Sequence, residues 1–395
     1  MIPAWIAFII VIALIMIFSK KELGITLSIA TLIFAILTQV NLLDSILTVF
    51  TNPSNIILII IVALIPILGG IMDDSGLMME LVQKMDVSKK VSFIVGPAFF
   101  GLLPVPGGAL MSAPIVDQID KDLHPNKKIA INVWYRHALL LIYPISPVLI
   151  IGSYLSGISI YLIVIAMIIP FIIMSLIGYF TLLRSVDKER ESHERDLKRV
   201  IRNFSPILIA PVIDFLGRTF FNLDNPEIFL LIGLFISVWV SIIIAKMPLS
   251  RVREVTKKMK IWRFPLVMFA ILWFLTVFVN SGLPEDISAL KLPFIVFICL
   301  GFLLGFTTGR VQVPFSILIP IYLIQNGITT MILMEFVFLY CATFLGYLIT
   351  PIHPCLAYSI NYFKTDYKSA FKQLILPTII CFSMVLGCYA LYSMI

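Results

Sequence analysis

The sequence predicts an all-α polytopic membrane protein with about ten transmembrane helices and two re-entrant hairpins. Three observations predict it. The 395 residues are 60% hydrophobic and only 13% charged, with a mean hydropathy of +1.05, which no ordinary soluble domain approaches. Two long apolar stretches are interrupted near their middles by helix-breaking residues. The positive charges are sorted between the apolar segments in a way that fixes a topology.

A span needs about 20 apolar residues to cross about 30 Å of hydrocarbon. Ten segments read as crossing: 2–18, 22–40, 56–73, 129–153, 157–183, 204–222, 226–245, 264–281, 331–359 and 374–394. The first begins MIPAWIAFIIVIALIMIFSKK, with no basic n-region and no small-residue cleavage site. It reads as a transmembrane helix rather than a removable signal peptide.

The apolar stretches 91–119 and 292–322 remain. Within the first, GLLPVPGGALMSAPIV (Gly101 to Val116) holds three prolines and three glycines. A helix interior loses about 3 kcal/mol for a proline and about 1 kcal/mol for a glycine. The arms on either side of each interruption are about 10–14 residues, or about 15–21 Å of helix, too short to cross. Both stretches therefore read as re-entrant hairpins. Irregular backbone at membrane depth is tolerated where it is buried in protein or lines a cavity.

With the N-terminus outside and both hairpins returning to their side of entry, 25 of the 29 Lys and Arg fall in inside loops. These loops lie at Lys20–Lys21, Lys84–Lys90, Lys121–Lys128, Arg184–Arg202, Lys246–Arg263 and Lys364–Lys372. Only Lys291 falls outside, and Arg136, Arg218 and Arg310 stand within membrane segments. A hairpin that crossed would exchange the sides of every later loop and destroy the segregation. The expected location is the cytoplasmic membrane, with both termini outside. The net charge of +7 is then a topology signal. The bilayer is the expected partner, and nucleic acid is excluded because the basic residues sit in short loops between apolar spans.

An internal repeat is visible. Asp74-Ser-Gly-Leu77 is echoed by Asn280-Ser-Gly-Leu283, 206 residues later. Gly101 and Ser112 match Gly305 and Ser316 at an offset of 204, and Tyr143-PISPVL-Ile150 matches Thr350-PIHPCL-Ala357 at 207. The repeat divides the chain into 1–200, with five spans and hairpin 91–119, and 201–395, with five spans and hairpin 292–322. Segment 1 runs inward and segment 6 outward, so the halves form an inverted 5+5 repeat. Inverted repeats with broken helices imply a secondary transporter that holds its substrate near the midplane.

The first tip, Pro104 to Ala109, offers Gly107 and Gly108 for close backbone approach. It leads into an arm whose N-terminal N–H groups suit an anion. Ser112 adds a hydroxyl. The second tip, Thr307-Thr-Gly-Arg-Val-Gln-Val-Pro314, offers Thr307, Thr308 and Gln312 as hydrogen-bonding groups. Arg310 adds a charged fork for a carboxylate. An ionisable residue at membrane depth is a functional candidate by default.

Pro144 and Pro147 cannot donate to Leu140 and Tyr143. Pro351 and Pro354 leave the carbonyls of Tyr347 and Thr350 without their helical donors. The freed oxygens of Tyr143, Tyr347 and Thr350, with Ser146, form a candidate Na⁺ site. His353, inside the second break, reads as a substrate donor, a proton-coupling group or a merely satisfied polar residue.

Asp214 and Arg218, four apart on one helix face, read as a structural ion pair. Arg136 and His137 read as interfacial. Cys299, Cys341, Cys355, Cys381 and Cys388 lack metal-type spacing and read as ordinary buried residues. No HExxH, GxSxG, GxxxxGK or CxxC motif occurs, and no organic cofactor is expected.

The order of elements, the GLLPVPGGALMSAPIV tip and the paired PISP and PIHP breaks resemble the ion transporter superfamily. That group includes sodium–dicarboxylate symporters, gluconate permeases, citrate carriers and arsenite permeases. The tip is most similar to that of an uncharacterised family of prokaryotic integral membrane proteins within it. The resemblance implies a scaffold domain and a transport domain that moves as an elevator, with substrate and cations where the tips meet the breaks. It also implies a homodimer. The Ser-Asn-Thr tip triplets of the dicarboxylate symporters are absent; the tips here carry Pro-Gly-Gly and Thr-Thr-Gly-Arg.

The expected function is a secondary active transporter for a small organic anion, coupled to Na⁺ or H⁺. A membrane-embedded enzyme using His353, Asp214 and Arg310, and a passive anion channel, are the alternatives.

Overall fold

Helices are the only regular secondary structure in the computed structural model, which describes residues 3–18, 21–85, 87–102, 108–186 and 196–394. The first ten are α1 (Ala4–Ile17), α2 (Leu23–Thr38), α3 (Leu42–Thr51), α4 (Pro53–Asp74), α5 (Leu77–Gln83), α6 (Lys89–Leu102), α7 (Gly108–Ile119), α8 (Pro125–Ala138), α9 (Pro147–Ser156) and α10 (Ile160–Leu182). The next ten are α11 (Leu197–Phe220), α12 (Glu227–Ala245), α13 (Leu249–Lys258), α14 (Arg263–Asn280), α15 (Leu283–Ser288), α16 (Phe294–Thr308), α17 (Gln312–Asn326), α18 (Leu333–Ile349), α19 (Pro354–Phe363) and α20 (Tyr367–Tyr392).

Local chemistry sets the boundaries. The Asn41 side chain accepts from the N–H of Leu43 and Asp44 and starts α3. Asn52 caps α4, with Pro53 at its first position, where a missing N–H costs nothing. Asp196 and Asp366 cap α11 and α20 in the same way. These side chains satisfy helix-end donors that would otherwise lack a partner.

Among the described residues, seven helical segments are long and apolar enough to cross a membrane: α4, α10, α11, α12, α14, α20 and the α18–α19 pair taken together. Three of the ten expected spans fall short. In segments 2–18 and 22–40, α1 and α2 have only 14 and 16 residues. Segment 129–153 is not one helix. It holds the end of α8, a single 3₁₀ turn at Leu139–Leu141 and then α9, because Pro144 and Pro147 each remove a donor. Stretches expected as loops also hold helix. The basic loop 246–263 contains α13, whose Val255 meets Gly70 of α4 along with Met259 just beyond the helix. Apolar residues at this spacing share one face and dock it, leaving the basic residues outward.

Lined up in chain order, several helices of α1–α10 match their counterparts in α11–α20 in length, as α3 does α13, α9 does α19 and α10 does α20, while α1 is shorter than α11. Left-handed Gly76 and Gly282, with φ of 76° and 74°, precede the short helices α5 and α15. The contacts are reciprocal too. α2 packs on α14 and α12 on α4, while α7 packs on α19 and α17 on α9. The helices form two groups. One joins α1–α4 with α11–α14; the other joins α6–α10 with α16–α20, through α6 on α8, α16 on α18 and α8 on α20. The groups meet at α14 on α17 and at α1 on α16, and the short helices α5 and α15 bridge them, α5 between α11 and α6 and α15 between α14 and α17.

Candidate functional site

The two breaks form alike. In the first, the Ser146 N–H donates to the Tyr143 carbonyl at 2.9 Å; in the second, His353 N–H donates to Thr350 at 3.1 Å. A turn thus re-uses the oxygens that the prolines release, and each carbonyl keeps a second lone pair. Pro147 and Pro354 then begin α9 and α19. Thr350 and Ser146 are each 1% exposed. The Ser146 hydroxyl, at the start of α9, has no hydrogen-bond partner among the described residues. The Tyr143 hydroxyl donates to the Ile207 carbonyl at 3.2 Å, which directs the ring towards α11.

Each hairpin lies against a broken helix. Of the first tip, Gly107 lies outside the described residues, and Gly108 is the first residue of α7. Ser112 is fully buried and accepts a hydrogen bond from Arg136 Nη1 at 3.3 Å. In the second, Gly309 takes the left-handed conformation, φ 63°, to end α16, and a Cβ there would meet Ile352 of the second break at 2.7 Å. Thr307 is half-buried, and its hydroxyl donates to Leu303 at 2.9 Å. Thr308 is buried, with its hydroxyl 2.6 Å from the Leu304 carbonyl and 3.2 Å from that of Arg310. Both threonines therefore direct their protons to the backbone. Gln312, half-buried, opens α17. Arg310 is half-buried, and its guanidinium has neither a carboxylate nor a hydrogen-bond partner among the described residues.

Arg136 and His137, expected at the membrane interface, are 4% and 2% exposed. They sit in the last turn of α8, which begins at Pro125, four residues before the expected span, and ends at Ala138 where the first break starts. Arg136 and Arg310 both act electrostatically on the half-buried Tyr347. The Tyr347 hydroxyl stands 3.3 Å from His137 Nε2. His353 is fully buried, with its Nε2 3.1 Å from His137 Nε2. Positive charge, two imidazoles and a phenol from both halves thus converge beside the second break.

The cysteines are less uniform than expected. Cys299 and Cys388 are exposed, and only Cys381 is buried. Cys355 joins His137 and His353, with their ligand atoms all within 4.8 Å of one another. The sequence offered one signal of this cluster, the pair His353 and Cys355 two apart inside a break. Its third member lies 216 residues away.

Asp214 is 1% exposed. It accepts from Arg218 Nε at 2.8 Å and from the Tyr161 hydroxyl at 2.7 Å, as a structural pair should. Between α1 and α2 lies a groove of about 380 Å³ lined by Leu14, Phe18, Ile25 and Ile29. It shares no residue with the breaks or tips, and its walls are mainly apolar, with Lys21, Glu22 and Thr26 also lining it.

An all-helical, membrane-type fold in which interrupted helices gather buried polar side chains is the class defined here. The chain belongs to the family described as "Protein of unknown function (DUF401)", which it matches over residues 4–393. Among curated proteins there is no match. Among solved structures, it is similar to the Alcanivorax borkumensis YdaH transporter, described as having an unusual topology. The two share 15% identity over 84% of this chain and 83% of that one, with a TM-score of 0.60. The likeness is one of fold.

Proposed function

We propose that the protein is a secondary active transporter of a small organic anion, coupled to Na⁺ or H⁺. The observation that carries this reading is Arg310, a half-buried cation at the tip of a hairpin with no carboxylate partner among the described residues. An unneutralised guanidinium in such a place is costly, and a bound carboxylate would neutralise it through a bidentate contact. Arg136, close enough to act on the same Tyr347, adds to the positive field. The fold shared with the YdaH transporter supports the class.

The reciprocal packing of α1–α10 and α11–α20 supports an inverted repeat divided near residue 200. The two helix groups suit an elevator, with α6–α9 and α16–α19 carrying the substrate. Ser146 and the carbonyls of Tyr143, Tyr347 and Thr350 are the proposed Na⁺ ligands. Gly107, Gly108, Ser112, Thr307, Thr308, Gln312 and His353 are the proposed lining of the substrate site. The membrane is taken to be the cytoplasmic membrane, with both termini outside, and the assembly a homodimer.

The test is uptake of labelled organic anions into proteoliposomes, with Na⁺ and pH gradients imposed in turn. Arg310→Ala should abolish uptake while the thermal unfolding midpoint stays near wild type. Normal uptake by that variant removes Arg310 from the site. Uptake without stimulation by unlabelled substrate on the far side identifies a channel instead of a carrier.

A further inference from the structure

His137 and His353 present a specific electrostatic problem. His137 Nδ1 lies 2.6 Å from the Val133 carbonyl, and His353 Nδ1 lies 3.1 Å from the Leu348 carbonyl. A carbonyl oxygen only accepts, so each Nδ1 carries the ring hydrogen. In the neutral rings each Nε2 then bears only a lone pair. These lone pairs face one another at 3.1 Å, with both rings almost wholly buried. Two acceptors at that distance repel unless a cation lies between them.

We propose that His137, His353 and Cys355 form a binding site for a thiophilic transition-metal ion, Zn²⁺ or Cu⁺. The donor set is the first argument. Two imidazoles and a thiolate suit such ions, whereas Na⁺, Mg²⁺ and Ca²⁺ prefer oxygen. The second is the tautomer. Metal-bound histidines characteristically donate their other ring N–H to a carbonyl or carboxylate, which fixes the ring and aims the lone pair. Both rings are already held this way.

Distances agree. Zn–N bonds of about 2.0–2.1 Å and Zn–S bonds of about 2.3 Å in a tetrahedron place the donor atoms roughly 3.3–3.6 Å apart. The nitrogens stand at 3.1 Å. All three ligand atoms lie within 4.8 Å of one another, and a bound ion would draw the Cys355 thiolate in.

The site also has an entrance and a fourth position. Cys355 is half-buried, so an ion can arrive from its side. The Tyr347 hydroxyl, 3.3 Å from His137 Nε2, stands beside the coordination sphere, where it can ligate or hold a water. On binding, the Cys355 thiol releases its proton as the sulfur–metal bond forms. With neutral imidazoles, a Cu⁺ site then carries no net charge. A Zn²⁺ site carries one positive charge, which an anion in the fourth position would balance. The ion would tie α8 to α19 across the two halves of the chain.

The site is tested by binding alone, so its failure and that of the transport reading are distinguishable. Purified protein is stripped of metal and reloaded with Zn²⁺, or with Co²⁺ as an optical probe. One metal per chain is expected, with a thiolate-to-cobalt charge-transfer band and a raised unfolding midpoint. Cys355→Ser should remove the band and weaken binding at least tenfold, with its metal-free midpoint unchanged. Cys341→Ser should bind as wild type does. His137→Gln should also bind at least tenfold more weakly, which keeps the test open if Cys355→Ser misfolds. No stoichiometric metal in the wild type overturns the proposal, as does equal binding by Cys355→Ser; a shared proton would then bridge the two imidazoles.

Discussion

The carbonyl oxygen of Arg136 stands 1.6 Å from the place a Cβ on Gly101 would occupy. The first hairpin arm therefore touches the broken helix backbone to backbone. The second half repeats the contact: a Cβ on Gly305 would lie 2.2 Å from the Thr343 carbonyl, and one on Gly346 would lie 2.1 Å from that of Phe302. In lipid, where tails are as apolar as leucine, helices associate by this close packing rather than by expelling water.

Any added methyl must push backbone away at these glycines. Gly101→Ala and Gly305→Ala should each destabilise by roughly 1–3 kcal/mol or more. Gly387, where a Cβ would meet nothing within 4 Å, is the contrast. There an alanine should stabilise the exposed helix by up to about 1 kcal/mol. Detergent melts of the three variants check the order. A Gly101→Ala protein as stable as wild type would contradict the contact.

Asp214 holds Arg218 and Tyr161 together at 2.8 and 2.7 Å. Asp214→Ala leaves the guanidinium without its carboxylate and should cost about 3–5 kcal/mol, the usual price of breaking a buried pair. Replacing both charges, as Asp214→Leu with Arg218→Met, should recover most of that loss. A double-mutant cycle on unfolding free energies reads the coupling, and additive losses would show the pair to be independent.

The Ser146 hydroxyl is buried and makes no hydrogen bond among the described residues. Its removal therefore breaks no internal bond. Ser146→Ala should leave the melting midpoint unchanged, or raised by a desolvation gain of about 1 kcal/mol, in Na⁺-free buffer. If Ser146 is a cation ligand, the same variant should lose the stabilisation that added Na⁺ gives the wild type. An equal Na⁺ shift in both proteins would remove Ser146 from the cation site.

Glu80 on α5 gathers Asn203, Arg199 and Arg202 of α11, at 2.9, 3.0 and 3.4 Å. The hydrogen bond from Asn203, then that from Arg199, holds its carboxyl below the ordinary 4.5. The unfolded chain therefore takes up the proton first as pH falls. The stabilisation is complete above about pH 4.5 and is lost as pH drops through the lower folded value. Because the site is near the surface, the effect should stay within about 1 kcal/mol. Glu80→Gln should flatten the acid limb of stability against pH; an unchanged limb would assign the acid sensitivity to other groups.

The all-helical class, the interrupted stretches and the four break prolines were legible in the sequence. They rest on local physics: apolar length, missing N–H donors and charge in short loops. The amphipathic helices α3 and α13 were not read, because a short apolar face declares itself only against the helix it covers. The burial of Arg136 and His137 depends on packing in the same way: both close α8, which ends at Ala138 where the first break begins. Tertiary structure alone brought His137 to His353 and Cys355, since residues more than 200 positions apart meet only when the halves interlock. Sequence by itself determined which segments could be helical and where they must break. Only the packing of α7 on α19 and α17 on α9 decided which side chains share a site, because contact is a property of the assembled helices and not of any one segment.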